Sequence, residues 1–131
     1  MIRRRNIEES HRDSFILTLH VASTIADAMI GVVPVKAKLV AVKEVHLTAG
    51  NHGSAVSGAI ERLQGTETAG NGDQVATGID LKGTAVTVQS GTIVDNSTNI
   101  WAAGDSVGFN LTGDSQTLAN MYITCMFRPV D

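Results

Sequence analysis

The chain has 131 residues, which bounds it to one domain, and a domain of this size buries roughly two thirds of its unfolded surface, enough to fold without a covalent or metal staple. It is 43% hydrophobic but only 4% aromatic, with 13 glycines, so small and β-branched side chains must fill the core. Charged residues make up 18% of the chain and the formal net charge is −3, which argues against a general nucleic-acid binder and suits a surface covered by assembly rather than by solvation.

Residues 1–13 set Arg3, Arg4, Arg5 and Arg12 against Glu8, Glu9 and Asp13, with no apolar period. Two readings stand for this stretch. One is a loosely attached tail. The other is an arm that crosses to a neighbouring subunit, where arginines pair bidentately with acidic groups. The basic start runs into these acids and not into an apolar h-region, so it is not read as a signal peptide. The longest apolar run, Ala28–Val35, is far shorter than the ~20 residues of a membrane span, so no membrane partner is expected and folding in a cytoplasm is.

From residue 14 the chain alternates. Phe15, Leu17, Leu19 and Val21 oppose Ser14, Thr18 and His20 in a first strand. Ala28–Val33 predicts a short second strand that Pro34 ends. Val35–Thr48 is the longest extended run, with Val35, Ala37, Leu39, Ala41, Val45 and Leu47 on one face; Lys43 interrupts the set and places an expected bulge at Val42-Lys43. A strand over Ala55–Leu63 follows the loop Ala49–Gly53. After the surface connection Gly65–Gly72, short strands are expected at Gln74–Ile79, Ala85–Gln89 and Gly91–Val94. Ile79–Gly83 leaves room for one helical turn, and Asp95–Asn99 reads as a polar loop. Val107–Leu111 and Met121–Arg128 close the chain as two strongly alternating strands. About eight antiparallel strands at turn-punctuated spacing, with no convincing helix, give an all-β sandwich over residues 14–131 behind an N-terminal arm over residues 1–13.

The chemistry-bearing residues do not cluster. His46 and His52 flank one loop, but zinc sites declare themselves by denser spacing, so both read as ordinary polar residues and neither a metal nor another cofactor is expected. Asp73, Asp80, Asp95, Asp105 and Asp114 stand beside turn residues, where aspartate bonds its own backbone. No nucleophile elbow, P-loop or dinucleotide fingerprint is present, so no catalytic residue is expected and the chain is read as a non-enzyme. Trp101 reads as a core plug at one end of the sandwich, and Cys125, the single cysteine, as a buried small hydrophobe. Apolar or aromatic residues on outward strand positions, Val40, Val42, Tyr122 and Met126, offer an interface.

Four segments resemble small structural proteins of tailed bacteriophages: Gly31-Val-Val-Pro-Val-Lys-Ala37, Val40-Ala-Val-Lys-Glu-Val-His-Leu-Thr-Ala-Gly50, Leu63-Gln-Gly-Thr66 and Ala103-Gly-Asp-Ser-Val-Gly-Phe-Asn-Leu-Thr-Gly113. The resemblance covers roughly residues 15–128 and is one of texture and order, to jelly-roll-like β-sandwich virion proteins that include capsid decoration (cement) proteins. It implies a non-enzymatic protein on the capsid exterior that binds the major capsid protein across subunit joints. The same resemblance implies self-assembly as a homo-oligomer, a trimer where capsomers meet. The arm residues Arg3, Arg4, Arg5, Glu8, Glu9 and Arg12 would grip a neighbouring subunit or the capsid. Competing readings are a phage tail or fibre module, a host-carbohydrate-binding sandwich, and a cupin-like enzyme. The few aromatics disfavour the lectin-like one, and the lack of clustered His and Glu ligands the last.

Overall fold

Nine strands pair into two antiparallel sheets in a computed structural model that describes residues 14–23 and 26–131. The strands are β1 (Phe15–Val21), β2 (Ala28–Val32), β3 (Ala37–Thr48), β4 (Ser57–Leu63), β5 (Asp73–Asp80), β6 (Gln89–Ser90), β7 (Thr92–Ile93), β8 (Ser106–Thr112) and β9 (Ala119–Pro129); a 3₁₀ turn spans Ser97–Asn99. One sheet has the order β1-β9-β3-β6, the other β2-β8-β4-β5-β7. The pairs β1·β9, β2·β8, β3·β6 and β4·β5 nest one inside the next, as a ribbon folded back on itself and wound, with β7 as an added edge. β8 and β9, the two strands whose alternation is strongest, each lie between two others of their sheet.

The alternation fills the space between the sheets. Met121, Ile123, Cys125 and Phe127 of β9 face Ile60, Val107 and Phe109 of the other sheet, and all are fully buried. Trp101 plugs one end as expected, its ring edge-on to Phe127 at 5.2 Å, with Phe15 stacked on the same phenyl at 5.1 Å. Within the five-stranded sheet, Gly58 of β4 makes room for the inward Phe109 ring of the neighbouring β8: a Cβ there would stand 2.4 Å from Cε1 of Phe109.

β3 bulges earlier than its sequence suggests. Leu39 pairs with Phe127 and Ala41 with Met126, which leaves Val40 as the extra residue. The cause is a long-range contact. The side-chain amide of Asn99 accepts from the Leu39 N–H and donates to the Leu39 carbonyl, both at 2.9 Å, and so replaces a strand neighbour there. The bulge flips the phase of every later residue. Ala37 and Leu39 point inward before it; Val42, Glu44 and His46 point inward after it, and Val45 and Leu47 turn to the outside.

Two connections also depart from expectation. Ala85–Gln89 is a turn and not a strand, because Val86 takes φ 57° and donates its N–H to the His46 carbonyl at 2.8 Å; sheet pairing resumes only at Gln89. The helical turn expected within Ile79–Gly83 is a hydrogen-bonded turn in which Asp80 accepts from Lys82 N–H, and the 3₁₀ turn falls at Ser97–Asn99, capped by Asn96.

Candidate functional site

The two sheets present unlike outer faces. On β4 of the five-stranded sheet, Ala59, Glu61 and Leu63 point away from the core yet are buried, because the loop of residues 64–72 folds over them. The Glu61 carboxylate ties that loop down: it accepts from Gly70 N–H at 2.7 Å and from the Asn110 amide at 3.1 Å. The outer face of the four-stranded sheet has no such cover. On β9, its second strand, Tyr122 is 46% and Met126 41% exposed.

Register arranges that bare face in rows. Ile16, Met126 and Ala41 lie side by side, with the bulged Val40 (37% exposed) next to them. Thr18, Thr124 and Lys43 form the next row, where the Lys43 ammonium donates to Ser90 Oγ. His20, Tyr122 and Val45 form the third, with the His20 and Tyr122 rings stacked at 4.2 Å. Beyond it a shallow groove of about 260 Å³ is lined by Val45, His46, Leu47, Val86, Asn120 and Tyr122. Among the described residues, the charged side chains that alternation directs to this face are Lys38, Lys43 and Arg128, all basic, in a chain whose formal charge is −3. The acid nearest by sequence, Glu44, is folded inward.

Val86 forms one wall of the groove at 71% exposure and a left-handed φ. A β-branched residue in that conformation is strained and persists only where its surroundings hold it. Here the holding group is the His46 carbonyl. The His46 ring is buried beneath the same turn: Nδ1 meets Glu44 Oε2 at 2.8 Å and Nε2 meets the Gly83 carbonyl at 2.9 Å, while Glu44 also accepts from the Gln89 amide at 2.7 Å. Groove and turn are therefore one construction.

Of the residues expected to form an interface, Val40, Tyr122 and Met126 share this face. Val42 does not: it is 1% exposed and belongs to the core, because the bulge precedes it and reverses its side. The arm residues Arg3, Arg4, Arg5, Glu8, Glu9 and Arg12 lie outside the described residues. Sequence reasoning missed Val45, Leu47 and Val86. The first two were assigned inward by the misplaced bulge, and Val86 was assigned to a strand. His46 was read as an ordinary polar residue at a strand end; it is buried and bonded on both nitrogens. Among the described residues no group of three His, Cys, Asp or Glu side chains is placed to hold a metal ion.

No family model matches the sequence, and no curated protein matches it. Among solved structures, the chain is similar to one in the cyanophage Pam1 capsid asymmetric unit, with a TM-score of 0.56 at 12% identity, over 89% of this chain and 84% of that one. At that identity the likeness is one of fold, and it extends over nearly the whole of two chains of similar length.

Proposed function

We propose that this protein is a non-enzymatic bacteriophage virion protein that decorates the capsid exterior, binding the major capsid protein across subunit joints through the outer face of its four-stranded sheet. The observation that carries the contact surface is the contrast between the faces: the loop of residues 64–72 covers the middle of one, leaving Met29 and Val32 exposed only at its β2 edge, while the other leaves Tyr122, Met126, Val40 and Leu47 open to solvent across its breadth beside, among the described residues, basic side chains only. Contiguous exposed apolar residues with a polar rim mark interaction surfaces. A rim of lysine and arginine suits a partner surface whose exposed groups are carboxylates. The similarity in fold to a chain of a phage capsid supports the virion setting. Decoration stabilises a shell by mass action, because a ligand that binds the assembled lattice and not free subunits shifts the equilibrium towards the lattice.

The arm extends the grip in this reading, with Arg3, Arg4, Arg5 and Arg12 offering bidentate donors to acidic groups. The test is occupancy on purified capsids lacking the protein. The double variant Tyr122→Ser, Met126→Ser and the charge reversals Lys43→Glu and Arg128→Glu should each lower copies bound per particle at least tenfold, and deletion of residues 1–12 should lower them separately. Unchanged occupancy in all of these sinks the proposal.

A further inference from the structure

The two sides of the sandwich close differently. On one side the edge strands are β6 and β7, each two residues long, too short to template another strand. On the other side the edges are β1, with seven residues, and β2, with five, and neither contains Asp, Glu, Lys, Arg or Pro. Natural edges are blunted by such residues, by shortness or by bulges; β2 has a register shift between Met29 and Gly31, whereas β1 has none of these protections. The side chains that β1 and β2 direct between the sheets, Phe15, Leu17, Leu19, Val21, Ala28 and Ile30, pack on the core yet stay only half-buried. Their neighbours on β9, by contrast, are fully buried. Among the described residues, the seam between β1 and β2 is thus apolar, flanked by unpaired strand edges, and open.

What fits it is an uncharged strand with apolar residues at every second position. Residues 1–13 do not meet that description: Arg3, Arg4, Arg5, Glu8, Glu9, Arg12 and Asp13 would bring charge to an apolar seam, and the apolar Met1, Ile2 and Ile7 do not alternate. β1 itself meets it. Antiparallel pairing about Thr18 sets Leu17 against the partner's Leu19, Phe15 against the partner's Val21 and Ile16 against the partner's His20, and brings no Asp, Glu, Lys or Arg into the contact.

We propose that two copies of this chain pair antiparallel through β1, about a two-fold axis at Thr18, joining their four-stranded sheets into one of eight strands. The contact is isologous and closes on itself. It stands independently of the capsid reading, and it leaves the outer faces side by side, so the surface that carries Tyr122 and Met126 doubles in extent. It builds a dimer and not the trimer that the phage resemblance implies.

The experiment uses the full chain in solution. Sedimentation equilibrium should give a dimer for the unaltered protein. Thr18→Lys, at an exposed position, puts two ammonium groups face to face and should weaken dimerisation at least tenfold with an unchanged circular-dichroism spectrum. Thr18→Cys should give a disulfide-linked dimer on mild oxidation, whereas Thr87→Cys, on the distant turn, should not; the native Cys125 is buried and stays silent. A monomer or a trimer for the unaltered chain overturns the proposal. So does a dimer that Thr18→Lys leaves intact, or one that only deletion of residues 1–13 abolishes.

Discussion

The imidazole of His46 and the carboxylate of Glu44, two residues apart on the inward face of β3, meet at 2.8 Å with both side chains out of solvent. The other ring nitrogen faces the Gly83 carbonyl at 2.9 Å. Both partners accept, and only the imidazolium donates from both nitrogens. Burial works against that charge. The Gly83 carbonyl, the Glu44 carboxylate and the charge of Asp80 outweigh it, and the pKa is raised above 6.5.

The sign of the pH dependence follows. A group whose folded pKa exceeds its unfolded one adds stability that is complete below pH 6.5 and fades as pH rises through the folded value. Chemical denaturation at a series of pH values from 5.5 to about 9 should show this loss. His46→Gln should flatten it. Glu44→Leu should cost about 3 kcal/mol below the His46 pKa, where it strands a buried cation, and less above it. Equal costs at both ends would show that His46 is neutral in the fold.

Gly58 lies against the ring of Phe109, and the β-carbon of alanine would overlap it at 2.4 Å. The phenyl is fully buried and has no open space to enter. Gly58→Ala should therefore destabilise by about 1–3 kcal/mol, as overpacking does, despite alanine's better backbone entropy. Thermal unfolding of the variant checks this. A companion Phe109→Leu change should recover part of the loss if the ring is the obstacle.

Cys125 is wrapped on β9 by the core, and burial pushes its thiol up to about 12. At pH 8 its thiolate fraction is then on the order of 10⁻⁴, and thiolate is the reactive species. Iodoacetamide should leave the native protein unlabelled over hours and modify it within minutes in denaturant. Mass spectrometry of the two samples distinguishes the cases.

Much of this architecture is legible in the chain. Phe15–Val21, Val107–Leu111 and Met121–Phe127 alternate cleanly, and each pairs where alternation requires. The bulge in β3 was legible as an event but not as a position. Lys43 announces a change of phase, yet the extra residue is Val40, fixed by an amide 60 residues away. No local pattern carries that contact. Its displacement by a few positions sent Val42 into the core and brought Val45 and Leu47 out, so half of the candidate surface was assigned to the wrong side. The turn at Ala85-Val86 was hidden for a similar reason: valine's preference for strands is overridden by one bond to His46.

Val86 offers a separation of stability from recognition. Its φ of 57° is costly for a β-branched residue, by about 1–3 kcal/mol, while its side chain is 71% exposed and stabilises little by burial. Glycine adopts this conformation without strain, though it gives back about 0.5–1 kcal/mol through the unfolded chain. Val86→Gly should thus raise the unfolding free energy by about 1 kcal/mol. The same change removes one wall of the groove beside Leu47 and Tyr122. If the face binds the capsid, the more stable variant should bind it less tightly, by about tenfold for a buried valine side chain. Denaturation and capsid-binding titrations on the same preparation measure both. A variant that gains stability and keeps full affinity would remove the groove from the interface and leave the rows around Tyr122 and Met126 to carry it.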